Sequence, residues 1–312
     1  MENKKDGQQK DFRSGMAAIV GRPNVGKSTL LNYILEEKVA IVSSIPQTTR
    51  HQIRGIYNGE RGQIVFLDTP GLHLPKDALG KHMNASARET LKDADCIIHL
   101  VDSSEPTGEE EEIVADSLKK IKKPIILGLN KIDLKGKYVD EYIALWERAG
   151  GKPATELENF TILPLSAKSG YHIPKLLDFV FESLPKGPAL YPADIISDVP
   201  QKLAVSDIIR EKLFWAMRQE IPHSIAVLVN EIKPKKKNVS YISAEILIER
   251  ESQKKIIIGK NGEVLKKVGT LARKDLEGLF EGKVFLDLYV RVAPKWRQNE
   301  AVLQELGHVF KD

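Results

Sequence analysis

The chain has 312 residues and a mass of 34.9 kDa, too long for one compact core and suited to two domains at roughly 150 residues each. Apolar residues make up 42% and charged residues 29%, which excludes a disordered chain, and the single cysteine, Cys96, excludes a disulfide framework or a cysteine-based zinc site and fits a cytoplasmic compartment. The net charge of +4 is unevenly placed: 21 basic and 15 acidic side chains from Lys202 onward, against 26 and 28 before it, so the back half points to a polyanionic partner.

Residues 1–14 lack the apolar segment of a secretory signal and read as a polar extension. No stretch approaches the ~20 apolar residues that span a bilayer. MAAIV (16–20) is a short apolar strand ending at Gly21. Residues 27–36 predict a helix with Leu30, Leu31, Ile34 and Leu35 on one face. IRGIYN (53–58) and QIVFL (63–67) predict a hairpin through a glycine-containing turn. CIIHLV (96–101), PIILGL (124–129) and FTILPL (160–165) read as buried strands, with helices near 81–92, 109–121, 139–148 and 173–183. Such alternation implies an α/β domain over 15–183, with a mixed, mostly parallel sheet covered on both faces and ligands at the carboxyl ends of its strands.

Residues 184–201 carry Pro185, Pro188, Pro192 and Pro200, a density that predicts an extended, semi-rigid linker. Residues 202–312 predict a second, α+β domain. A helix over 206–220, capped by Ser206 or Asp207, precedes strands over 224–232 and 241–250 joined by the basic loop KPKKKN. Then come Lys254–Gly262 (KKIIIGKNG), a long helix, a strand over 284–292 and a short C-terminal helix. Trp215 and Trp296 each sit in an amphipathic segment, where core packing is expected.

Gly21-Arg22-Pro23-Asn24-Val25-Gly26-Lys27-Ser28 matches GxxxxGK[ST] between a strand and a helix. A triphosphate needs amides and cations close to its oxygens. The glycines let the loop turn its amides inward, and the helix N-terminus adds partial positive charge. Lys27 would neutralise the β- and γ-phosphates, and Ser28 would give its hydroxyl oxygen to Mg²⁺. Asp68-Thr69-Pro70-Gly71 follows a strand; its carboxylate can hold Mg²⁺ through water and its glycine amide can meet the γ-phosphate. Asn130-Lys131-Ile132-Asp133 follows another. A carboxylate there accepts two hydrogen bonds from guanine that adenine cannot offer, and a buried polar group left unpaired by the wrong base discriminates strongly. Ser166-Ala167-Lys168 follows a third, with the Ala167 amide able to donate to guanine O6. Gln47-Thr48-Thr49-Arg50 lies in an aperiodic segment where a threonine can complete the Mg²⁺ shell only when a γ-phosphate is present.

With GRPNVGKST, QTTRHQIRG, DTPGLH, NKID, SAK and IIIGKNG, the chain resembles the TRAFAC-class GTPases, and most closely the Era family of bacterial ribosome-assembly GTPases, over about residues 16–311. The resemblance implies a P-loop GTPase domain followed by a type II KH domain. It implies GTP and GDP contacts along the phosphate loop through Thr29, and at Asp68, Thr69, Pro70, Gly71, Asn130, Lys131, Asp133, Ser166, Ala167 and Lys168. Lys27, Thr49 and Gly71 would serve hydrolysis. Ser28, Thr49 (or its neighbour Thr48) and Asp68 would hold Mg²⁺, and Asn24 matches a position that binds K⁺ in related GTPases. Ras-like switches place a water-orienting glutamine after DxxG. Here that position is Leu72, and the Era family shares an apolar residue there, so intrinsic hydrolysis is expected to be slow, with water held by backbone, a cation or a partner. His73 beside it is expected to be a bystander.

The GxxG loop gives a nucleotide backbone close access, clamping about four nucleotides. Lys254, Lys255, Ile258, Gly259, Lys260, Asn261, Gly262, Lys266, Lys267 and Arg273 are the candidate RNA contacts, and the lysines make binding salt-dependent. By the same resemblance the partners are the 3′ end of 16S rRNA and the 30S subunit, the protein is monomeric and cytoplasmic, and peripheral contact with the inner face of the membrane accompanies it. The competing reading is a GTPase whose basic domain docks on anionic membrane or a protein without RNA specificity.

Overall fold

The computed structural model describes residues 11–42, 50–71, 77–135, 137–217, 224–236 and 238–308. The chain divides into two compact units, one built largely from residues before 199 and one from Val199 onward.

The first unit holds a six-stranded sheet in the order β2-β3-β1-β4-β5-β6. Its strands are β1 (Arg13–Val20), β2 (Ile53–Gly59), β3 (Gly62–Asp68), β4 (Cys96–Asp102), β5 (Ile125–Asn130) and β6 (Phe160–Pro164). β2 runs antiparallel to β3, and every other neighbouring pair is parallel. The helices are α1 (Lys27–Leu35), α2 (Ala78–Asp93), α3 (Glu109–Leu118), α4 (Val139–Gly150) and α5 (Ile173–Ser183). The apolar runs of β1, β3, β4 and β5 are buried along nearly their whole length, the pattern of parallel strands covered on both faces. Val114 and Leu118 of α3 and Tyr142 and Trp146 of α4 close one face over Ile97, Val101 and Leu127. His99 is fully buried there, accepts a 3.1 Å hydrogen bond from the Trp146 indole at Nδ1, and is pushed down to about 3 by burial, so it stays neutral.

Two boundaries differ from the sequence reading. β1 begins at Arg13 rather than beyond a 14-residue extension. Arg13 and Ser14 pair with Gly62 and Gln63, and the Arg13 guanidinium donates to the Leu184 carbonyl at 2.5 Å, so polar residues extend the strand. Residues 184–198 are not a free linker but belong to the first unit. The prolines hold this segment extended, and the fully buried Gln63 completes its hydrogen bonds. The Gln63 carboxamide accepts from the amides of Leu190 (2.7 Å) and Tyr191 (2.9 Å) and donates to the Tyr191 carbonyl (2.8 Å). The Ile56 amide donates to the Ile196 carbonyl at 2.7 Å.

The second unit runs α6 (Gln201–Ala216), β7 (Ala226–Lys236), β8 (Val239–Ile248), α7 (Glu251–Ile258), α8 (Glu263–Leu279), β9 (Lys283–Val292) and α9 (Glu300–Glu305). Its sheet order is β7-β8-β9, antiparallel then parallel. α6 starts five residues before the expected cap. Ser206 and Asp207 are buried in mid-helix, where Ser206 donates to the Val227 carbonyl at 2.7 Å and Asp207 pairs with Arg210 at 2.8 Å. Most of the basic "loop" is strand: Lys233, Lys235 and Lys236 lie in β7, with Lys235 3.8 Å from the Phe285 ring centre. Ile242, Ala244, Ile246 and Ile248 alternate into a core with Val205, Ile209, Leu213, Val268, Ala272 and Leu276. Trp296 is fully buried as expected, but Trp215 is 61% exposed, with Lys267 4.6 Å from its ring centre. Among the described residues no helix is long and apolar enough to cross a membrane.

Candidate functional site

The phosphate-loop residues Gly21–Ser28 join the carboxyl end of β1 to the N-terminus of α1. Gly26 has φ 104°, which favours glycine, and a Cβ there would lie 2.4 Å from the Asn130 amide nitrogen. The loop therefore closes around Lys27, which is 7% exposed and donates from Nζ to the carbonyls of Gly21 (3.0 Å) and Arg22 (2.8 Å). Burial pushes the Lys27 ammonium down to about 8, against the opposing pull of Asp68. A phosphate group is the partner this buried cation suits.

Asp68 ends β3, fully buried, and its Oδ2 accepts from the Ser28 hydroxyl at 3.0 Å. A hydroxyl and a carboxylate, both hard oxygen donors at a phosphate loop, fit Mg²⁺. Among the described residues no cluster of three or more histidine, cysteine or acidic ligands exists, so the pair would hold an ion completed by phosphate and water. Thr69 donates from its hydroxyl to the Ile19 carbonyl at 3.0 Å, tying β3 to β1. Thr69, Pro70 and Gly71 are buried. A Cβ at Gly71 would lie 2.9 Å from the Pro23 nitrogen, so the second motif packs backbone-to-backbone on the first. Thr48, Thr49, Leu72 and His73 lie outside the described residues, so the expected switch threonine has no geometry here.

Asn130, 2% exposed at the end of β5, joins three loops. Its amide donates to the Val25 carbonyl at 2.6 Å, and its Oδ1 accepts from the Ala167 amide at 2.9 Å. The Ala167 amide, expected to meet guanine O6, is thus bonded to Asn130. Asp133 stands exposed on the short turn Ile132–Leu134. Lys131 pairs through Nζ with Asp102 at 2.5 Å. Burial opposes ionisation of Asp102, but hydrogen bonds from Lys131 and Ser104 hold its carboxyl below the usual range. Ser166 is buried, and its hydroxyl accepts from the Ser169 amide at 3.2 Å; Lys168 is exposed. One connection was not legible in the sequence. The Arg22 guanidinium meets Glu111 of α3 as an ion pair.

In the second unit, Gly259–Gly262 links α7 to α8. The two glycines differ. Gly259 has φ 76°, and a Cβ there would lie 2.5 Å from Val264 Cγ2; Gly262 has φ 77° and open space around it. Gly259 is thus required by packing against Val264, whereas Gly262 is required only by its backbone conformation; both are partly exposed. Beside the loop a cleft of about 430 Å³ is lined by Gly262, Leu265, Lys266, Gly269, Thr270, Arg273, Leu286 and Leu288. The apolar floor from β9, Leu286 and Leu288, was missed in the sequence, where 284–292 reads only as a strand. Lys255, Lys260, Asn261, Lys266 and Arg273 are exposed, and Ile258 is half-buried. Lys254 pairs loosely with Glu251 at 3.8 Å, and Lys267 lies over Trp215 rather than in the cleft.

A family model described as a 50S ribosome-binding GTPase matches residues 16–131, and one described as a KH domain matches residues 220–297. GTPase Era of Leuconostoc citreum is 44% identical over 298 residues, covering 95% of this chain and 97% of that protein. The chain belongs to the Era family of GTPases. The corresponding protein of a Geobacter species is 44% identical over 302 residues, covering 96% and 99% of the two chains. Among solved structures, Era in complex with MgGDPNP and nucleotides 1506–1542 of 16S ribosomal RNA superposes with a TM-score of 0.88 at 39% identity, covering 96% of this chain and 100% of that one. A single-residue variant of Aquifex aeolicus Era bound to GDP and AlF₄⁻ gives a TM-score of 0.88 at 40% identity over the same shares.

Proposed function

We propose that this Era-family GTPase is a switch that binds the 3′ region of 16S rRNA through its KH domain and acts in assembly of the 30S subunit. The observation that carries the reading is the union in one chain of a guanine-nucleotide site and a basic cleft lined by Gly262, Lys266 and Arg273. In the nucleotide site, Lys27 and the loop amides neutralise charge on the transferred phosphoryl group. Ser28 and Asp68, with Thr49 as the switch ligand, would hold Mg²⁺, which would offset the charge on the phosphates. Gly71 reports the γ-phosphate through its amide, and Asp133 selects guanine. Leu72 cannot hold the attacking water, so turnover is slow until backbone, a cation or a partner supplies that role. Asn24 suits K⁺ as that cation; equal turnover in Na⁺ and K⁺ buffers would remove it. The protein acts as a cytoplasmic monomer, with peripheral contact at the membrane face.

The test is titration of the purified protein with single-stranded RNA oligomers of graded sequence, each with GTP, GDP and no nucleotide. Strong preference for an rRNA 3′-end sequence, altered by nucleotide, is expected. Equal affinity for all sequences would favour a basic domain that docks on anionic membrane or a protein instead. Preference for ATP over GTP in calorimetry would overturn the nucleotide reading.

A further inference from the structure

Arg22 is the phosphate-loop side chain that the nucleotide chemistry leaves unexplained. It lies two positions from the loop's asparagine, yet its guanidinium turns away to Glu111, on the first turn of α3. Glu111 is 3% exposed, and its side chain is 4% exposed against 24% for Arg22. The two meet as a charge pair without hydrogen-bond alignment. Glu111 is fixed from its own side, because its Oε2 accepts from the Gly108 amide at 3.1 Å. Tyr142 of α4 faces the same guanidinium, and its hydroxyl donates to the Glu105 carbonyl at 3.2 Å. Burial opposes the Arg22 charge, but Glu111 and Tyr142 outweigh it and raise its pKa. The far end of this connection is the catalytic cation: the Arg22 carbonyl accepts from Lys27 Nζ at 2.8 Å. A buried carboxylate held by a helix N-terminus is a fixed negative charge, and the guanidinium paired with it is drawn to one position by Coulomb attraction.

We propose that Glu111 is a positioning residue for nucleotide binding: through Arg22 it holds the phosphate loop in the shape that aims Lys27 and the loop amides at the phosphates. This rests on the reading that the loop binds GTP and GDP. The anchor acts on loop shape before any phosphate arrives, so it favours ground and transition states alike. Interactions of that kind change KM and leave kcat nearly constant.

The test compares the full-length protein with Glu111→Gln, Arg22→Gln and the double variant. It measures Kd for GDP and GTP with Mg²⁺, kcat and KM for GTP, and thermal unfolding without nucleotide. Each single variant is expected to weaken both nucleotides about tenfold and raise KM alike with kcat within about twofold, while the double variant is no weaker than either single one. A purely structural pair would lower the unfolding temperature and leave the Kd of the folded protein unchanged. That outcome, or losses that simply multiply in the double variant, overturns the proposal. If a single variant fails to fold, the uncharged double variant, which leaves no lone buried charge, decides: wild-type Kd in that protein also overturns it. Failure of the wild type itself to bind GDP would instead sink the reading of the loop.

Discussion

Lys27 sets burial against function. Its folded pKa is about 8, below the ordinary 10.5. Between those values the unfolded chain binds more protons than the folded one, so nucleotide-free stability rises with pH. Phosphates favour the charged lysine, so nucleotide affinity falls over the same range. Thermal unfolding from pH 7 to 9.5 is expected to show the wild type gaining stability relative to Lys27→Met; parallel curves would refute it. Asn130→Ala removes the bonds to Val25 and Ala167 and leaves their partners unpaired. A loss of about 2–4 kcal/mol is expected, with GDP affinity reduced at least tenfold, read by denaturant unfolding and fluorescence titration. The NKID motif reads in the sequence as a base-recognition signal through the carboxylate chemistry of Asp133. The structural role of Asn130 was not legible there, because it joins groups 105 and 37 positions away.

At the scale of elements, buried runs announce strands well. Helix α5 and the six strands of the first unit, apart from the polar first residues of β1, fall where periodicity and apolar runs place them, since each carries its own burial pattern. The segment 184–198 failed for the opposite reason: its prolines specify an extended backbone but not the surface on which it lies. That surface is set by side chains and backbone far away in the chain, among them Arg54, Asn58 and above all the buried Gln63, whose place in β3 looks anomalous until its partners are known. Gln63→Ala leaves the Leu190 and Tyr191 amides without that acceptor, and faster limited proteolysis within 186–198 is expected, with about 2–3 kcal/mol lost. Equal cleavage rates would refute the docking. The GxxG loop separates in the same way. Gly259→Ala drives a Cβ into Val264 and is expected to lower the unfolding temperature sharply, whereas Gly262→Ala meets open space and costs about 1–2 kcal/mol for its backbone alone. Gly262→Ala should still weaken RNA binding; unchanged affinity would count against the cleft.

For the whole molecule, charge asymmetry was legible in the composition, since net +6 from Lys202 onward against −2 before it needs no structure. Which cations face a ligand was not. Lys266 and Arg273 line the cleft, while Lys267 packs on an aromatic ring. Replacing Lys266 and Arg273 by alanine is expected to lower the slope of log affinity against log salt by up to about 1.4 for single-stranded RNA. An unchanged slope would place the phosphate contacts elsewhere. Trp146 and Trp296 are shielded at 3% and 0% exposure, and Trp215 stands at 61% beneath Lys267 on the helix that borders the cleft. The protein thus carries its own optical reporter: water-soluble quenchers will extinguish the red-edge emission of one indole and spare the other two, and any ligand that shifts Lys267 will register as a change in that colour without a dye or a label.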